Sequence, residues 1–232
     1  MKTLTIQYRF TFPDRSENFD VILDARKIEL INDSTKPFPQ WVNLDFYQCP
    51  NCPVDVRETP YCPLSANIFN IVKRFAHVMS YNEVHLEVIS AERVVSRNTT
   101  VQRALSSLMG LVIASSSCPH TRFFKPMARF HLPLSTEAET IYRMSSMYML
   151  AQYFRKKDSK APDFEMEGLE KICNHIEVVN AAISKRLRAA SQTDSVVNAV
   201  ILLDLFAKAL PWAIEESLKE LDYLFQPYSV GP

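Results

Sequence analysis

From Thr3 to Phe12 the hydrophobic residues fall on alternate positions, with Leu4, Ile6, Tyr8, Phe10 and Phe12 on one face and Thr5, Gln7, Arg9 and Thr11 on the other. A period of two predicts a strand with one buried side. Phe19–Leu23 and Lys27–Ile31 read as shorter strands around turn residues, and Trp41–Tyr47 as a further strand that delivers the chain into Cys49. Pro63–His77 changes period, placing Ile68, Ile71, Val72 and Phe75 on one helical stripe. Val84–Ile89 and Arg93–Ser96 flank Ser90–Glu92 and predict a hairpin.

Beyond Asn98 the helical period persists. Thr99 or Thr100 is placed to cap a helix reaching about Ser115, with Leu105, Leu108, Met109 and Val112 inward. Thr136 with Glu139 three residues on is a capping box, opening a helix to about Arg155. That helix has a wide apolar face (Ile141, Met144, Met147, Tyr148, Ala151, Phe154), which predicts burial on more than one side. Asp163 is read as the cap of a helix to about Ala190, and Asp194 as the cap of Val196–Leu210. Pro211 is expected to break or kink the chain before a last helix, Ala213–Phe225. The fold class is α+β, with an N-terminal antiparallel sheet carrying one helix and a C-terminal helical bundle packed on it. Residues 1–232 are expected to form one compact unit; a subdivision into 1–97 and 98–232 is the alternative.

Composition narrows the functions. The chain holds 3 Gly against 14 Pro, and neither G-x-G-x-x-G nor a Walker-type loop is present, which excludes nucleotide binding by those two routes. Net charge is zero, so any attraction to nucleic acid or anionic membrane must be local. The N-terminus lacks a secretory profile, and Val196–Trp212 is interrupted by Asn198, Asp204 and Lys208, so no membrane span is expected. The expected location is the cytoplasm, where thiols stay reduced and a C-x-x-C pair reads as metal or redox chemistry.

Four of the five cysteines, Cys49, Cys52, Cys62 and Cys118, are each followed directly by proline, and Cys173 is not. Proline holds the residue before it extended, which stiffens a loop that must present sulfur at a set position. Four thiolates suit tetrahedral zinc or an iron–sulfur cluster, and His120 is an alternative fourth ligand. Pro53 stands where zinc knuckles usually carry glycine, which leaves iron–sulfur open. The expectation is a soluble metal-binding protein whose centre is structural zinc, acting through ligand or partner binding. The alternatives are an iron–sulfur protein in electron transfer or redox sensing, or a metal-dependent enzyme of unknown reaction.

Between Glu92 and Glu137 runs a stretch of 44 residues without Asp or Glu, containing Arg122, Lys125 and Arg129 near Cys118. These cations are expected to offset the charge of a thiolate centre, or to take an anion. The expected partner is an unknown protein or a small anionic ligand rather than nucleic acid. Asp204 and Lys208 read as an i,i+4 pair. The serine run Ser115–Ser117 lacks a glycine elbow, and no catalytic residue is assigned.

The segments QCPNCP (Gln48–Pro53), YCP (Tyr61–Pro63), SSLMGLVIASSSCPHTRFFKPMARFHLPL (Ser106–Leu134) and NAVILLDLFAKALPW (Asn198–Trp212) resemble an uncharacterised bacterial family of full-length relatives. The resemblance implies a stand-alone bacterial protein and carries no activity, substrate or catalytic residue.

Overall fold

The structure is a computed structural model. It describes residues 2–31, 37–191 and 193–229, with side chains for all of these but 205–217 and 229. Strands β1 (Thr3–Thr11), β2 (Ser16–Asp24), β3 (Glu83–Ile89) and β4 (Val94–Thr100) form one antiparallel sheet in the order β2-β1-β3-β4. The alternation in β1 has the effect expected of it: Ile6, Tyr8, Phe10 and Phe12 are buried, and Tyr8 lies opposite Phe19 on one side and Val88 on the other. Polar residues hold most of the outer face, with Ile22 and Val94 exposed among them, so the sheet is covered on one side only.

Helices α1 (Pro63–Phe75), α2 (Val101–Ala114), α3 (Lys125–Arg129), α4 (Glu137–Lys157), α5 (Glu167–Ala190), α6 (Ser195–Leu221) and α7 (Gln226–Ser229) complete the α+β architecture. One buried cluster takes in Tyr8, Phe10, Leu23, Leu86, Ile68, Phe75, Leu105, Leu108, Ile183 and Val200, joining the sheet to α1, α2, α5 and α6. A smaller cluster of Ile141, Met144, Leu169 and Cys173 joins α4 to α5. No helix among the described residues is long and apolar enough to cross a membrane.

Several expectations are corrected. Lys27–Ile31 is not a strand. Ile28 adopts a left-handed φ of 51°, and a single bridge, Leu23 to Leu30, is all that forms. Trp41–Tyr47 is not a strand either. A 3₁₀ turn spans Gln40–Val42, Tyr47 has φ 47°, and the segment meets Tyr61 through one bridge at Asn43. Helix α6 runs through Pro211 without a break.

Helix α4 does open on its capping box, with the Thr136 hydroxyl accepting from the Glu139 N–H and the Glu139 carboxylate from the Thr136 N–H. Its apolar width is not buried on several sides, however: Leu150 and Phe154 are each 56% exposed. Thr100 occupies the α2 N-cap without a side-chain bond. Asp163 serves α5 from outside the cap, accepting from the Gly168 N–H at 2.7 Å, while Met166 in the left-handed region is the N-cap residue. Asp194 is the α6 N-cap residue, yet its carboxylate accepts from the Ser80 N–H (3.0 Å) and hydroxyl (2.8 Å), tying α6 to the chain ahead of β3.

Candidate metal centre

The cysteine loop is closed at its base by two backbone bonds, Leu44 N–H to the Pro60 carbonyl and Cys62 N–H to the Val42 carbonyl, both at 2.9 Å. Within it the Cys52 N–H donates to the Cys49 carbonyl at 2.9 Å, a tight turn that brings two thiols to one side. Cys62 is the N-cap residue of α1, and Pro63 takes the first helical position, where the missing N–H costs nothing.

Cys118 comes from the other end of the α2 connection. Its turn is fixed by the Thr121 N–H and hydroxyl donating to the Cys118 carbonyl (3.1 and 3.2 Å) and by the Ser116 hydroxyl, which accepts from the Cys118 N–H and meets Thr121 Oγ1. The serine run thus builds the turn. The backbone N–H groups of His120 and Thr121 also favour the Cys118 thiolate.

All four cysteines line one void of about 20 Å³, together with Leu44, Leu64, His120, Val179, Ile183 and Arg186. No disulfide joins them. Among the described residues no three His, Cys, Asp or Glu side chains are disposed as a metal-holding set as they stand, so the thiols share a void without closing on a common point. Their mutual effect is nonetheless felt. The Cys49 thiol is pushed up to about 12 by burial first, then by Cys62, Cys118 and Cys52 in turn, with Arg186 acting in the opposite sense. Burial also raises Cys118, against the two N–H groups that stabilise its thiolate. Cys49 and Cys118 therefore hold their protons more tightly than a free cysteine does, and a bound cation would have to displace them.

Arg186, on α5, is 1% exposed. Its Nη1 donates to the carbonyls of Trp41 (2.9 Å) and Asn43 (2.6 Å) and its Nη2 to that of Leu44 (2.8 Å). Nε has no partner. Among the described residues no carboxylate forms an ion pair with this guanidinium. A buried cation without an anion is costly, and the group it adjoins is the set of four thiols.

His120 lines the void, but its Nε2 donates to the Asn51 carbonyl at 2.8 Å, and its ring lies edge-on to His175, 5.2 Å away. Since a carbonyl only accepts, Nδ1 is the nitrogen left for a ligand role. Arg122, Lys125 and Arg129 do not line the void. Lys125 pairs with Glu29 at 2.7 Å, while Arg122 and Arg129 lie over the rings of Phe123 and Phe130. The cation beside the thiols is Arg186, which the sequence reading did not single out. In KRLR it looks like one more charge on a helix, and only its spacing with Val179, Ile183 and Leu187 hints at an inward face. Asp204 accepts from Asn180 at 3.3 Å; the expected pairing with Lys208 lies outside the described side chains.

One family matches the chain, described as a domain of unknown function (DUF6901), over residues 6–226. No curated protein and no solved structure matches it.

Proposed function

The chain belongs to this family of domains of unknown function, DUF6901, and we propose from its own side chains that Cys49, Cys52, Cys62 and Cys118 bind one zinc ion as a structural clamp. The observation that carries the reading is the joint lining of one small void by four thiols and the carbonyl-held, carboxylate-free Arg186. Four thiolates around a divalent ion leave a net negative charge, and the buried guanidinium complements it. Cysteine has one side-chain torsion, so rotation about Cα–Cβ is the adjustment that draws the sulfurs inward while the backbone stays in place. The clamp joins the cysteine loop, the start of α1 and the turn after α2, and through Arg186 it engages α5. On this reading the protein works in a reducing compartment, the cytoplasm, and acts by binding a ligand or partner on the scaffold so fixed.

The size of the void favours a single ion over a cluster. About 20 Å³ is room for one water-sized body, whereas an iron–sulfur cluster adds several iron and sulfide atoms. A closed set of four thiolates also lacks the open position that Lewis-acid catalysis requires. Replacement of one thiolate by His120 through Nδ1 is the variant that keeps the same ion.

The test is metal analysis of protein purified without chelators under reducing conditions. One zinc per chain in a colourless preparation is expected, falling in Cys62→Ser and Cys118→Ser. A brown preparation containing iron and sulfide replaces zinc by a cluster, and protein without either metal removes the reading altogether.

A further inference from the structure

A cavity of about 430 Å³ lies among α2, α3, α4, α5 and α6, and no described residue lines both it and the cysteine void. Its volume falls in the range of about 300–1,000 Å³ typical of small-molecule sites. The walls are mostly apolar, with Leu111, Phe124, Met127, Met144 and Ile176 among them. Among the described lining residues the two charged groups are both guanidinium groups, Arg103 and Arg143, and none is a carboxylate.

Arg143 is built in rather than dangling. Its Nη2 donates to the carbonyls of Met127 (3.1 Å) and Phe130 (2.8 Å), which fixes the plane of the group. Among the described residues both of its hydrogen bonds come from Nη2, and neither Nε nor Nη1 makes one. Burial works against its charge, and Glu139 offsets this only in part; that carboxylate is taken up by the Thr136 N–H at 2.7 Å and hydroxyl at 2.9 Å. Beside it His131, which burial and Arg143 push down to about 3, is neutral, and its Nε2 is bonded to the Tyr8 hydroxyl, itself 3.0 Å from Ser107 Oγ. The polar wall therefore offers one held cation, Arg143, a second guanidinium from Arg103 and several neutral groups to an otherwise apolar chamber.

We propose that this cavity binds an amphipathic carboxylate, an apolar chain whose carboxylate head pairs with Arg143. The free edge of a planar guanidinium matches a carboxylate in a two-bond fork, and the apolar walls take the chain. The inference rests on the preceding reading only in giving its ligand-binding part a place and a chemistry; it requires nothing of the metal.

Isothermal titration of the full-length protein with decanoate, decan-1-ol and decyltrimethylammonium tests it directly. Decanoate is expected to bind one per chain, about ten-fold or more tighter than the alcohol, with the cation weakest. Arg143→Met is expected to bring decanoate down to the level of the alcohol, and Ile176→Trp to block both by filling the chamber. Equal binding of decanoate and decan-1-ol by the unaltered protein, tighter binding of the cation, or no binding of any of the three overturns the proposal, without recourse to a variant. Zinc content is measured on the same samples, so loss of ligand binding with zinc retained counts against the cavity alone.

Discussion

Arg186 and Cys49, from α5 and from the loop ahead of α1, act on each other across one void: the guanidinium favours the Cys49 thiolate, while burial and the three neighbouring thiols oppose it. The same arginine supplies hydrogen bonds to the carbonyls of Trp41, Asn43 and Leu44. One side chain thus holds the approach to the cysteine loop and lies beside its thiols.

Arg186→Met keeps the volume and removes both roles. Leaving three carbonyls without their donor is expected to destabilise the protein by about 3–5 kcal/mol, read as a lower midpoint in urea unfolding. Zinc affinity is expected to fall by roughly 10–100-fold, the usual scale for loss of a group that supports the ligands, measured by competition with a chromogenic chelator. Arg186→Lys should restore charge without the fork and recover only part of either.

Zinc binding should release protons. With burial and neighbouring thiols holding Cys49 at about 12 instead of its ordinary 9.0, this thiol is protonated in the free site at neutral pH, and the ion displaces that proton. Apparent affinity therefore rises with pH. Titration in buffers of differing ionisation enthalpy is expected to show at least one proton released per zinc, and a heat independent of buffer would contradict it. For metal-free protein the sign runs the other way. A thiol whose pKa is raised on folding contributes stability that is intact below pH 9 and lost as pH climbs toward 12. Chelator-treated protein should weaken in that window while the zinc form does not.

His131 gives a separate acid-side signature. Burial holds it at about 3, against 6.5 in the unfolded chain, so on acidification the unfolded state takes up a proton that the folded state refuses. Stability should fall as pH drops below 6.5, with a slope of up to about 1.4 kcal/mol per pH unit from this group. The upper part of this window, above about pH 5, lies clear of the carboxylates of Asp163, Asp194 and Glu139, whose depressed values cost stability only as pH falls through the ordinary carboxylate range. His131→Gln should flatten the curve between pH 6.5 and 4; an unchanged slope would mean that His131 does not govern it.

Thr136→Ala removes the hydroxyl of the α4 capping box. The expected cost is about 1 kcal/mol, a shift of roughly 2–4 °C in Tm for a chain of this size, with zinc content unchanged.

How far these features can be read from residue order depends on whether the cause is local. The face of β1 and the box at Thr136 are set by neighbours two and three residues away, and both are visible directly. Gathering Cys62 and Cys118 was inferred from a shared proline, and the structure does bring both to one void. Trp41–Tyr47 reads as a strand because Trp41, Val42 and Leu44, all buried, carry the composition of one. Buried carbonyls need donors, and here a guanidinium from α5 supplies them in place of a strand ladder. The same long-range contact hid Arg186, at whose burial only its spacing with Val179, Ile183 and Leu187 hints. Arg122, Lys125 and Arg129, near Cys118 in sequence, turn instead to Phe123, Glu29 and Phe130.

Helix α5 gives Cys173, Ile176 and Asn180 to the large cavity and Val179, Ile183 and Arg186 to the cysteine void. The turn after α2 does likewise, with Thr121 on one and Cys118 and His120 on the other. The two chambers draw different residues from one helix and one turn, and a hydrogen-bonded helix moves as a unit. Any occupant that shifts α5 to suit itself alters the other chamber's fit, and linkage makes the change in affinity equal in both directions.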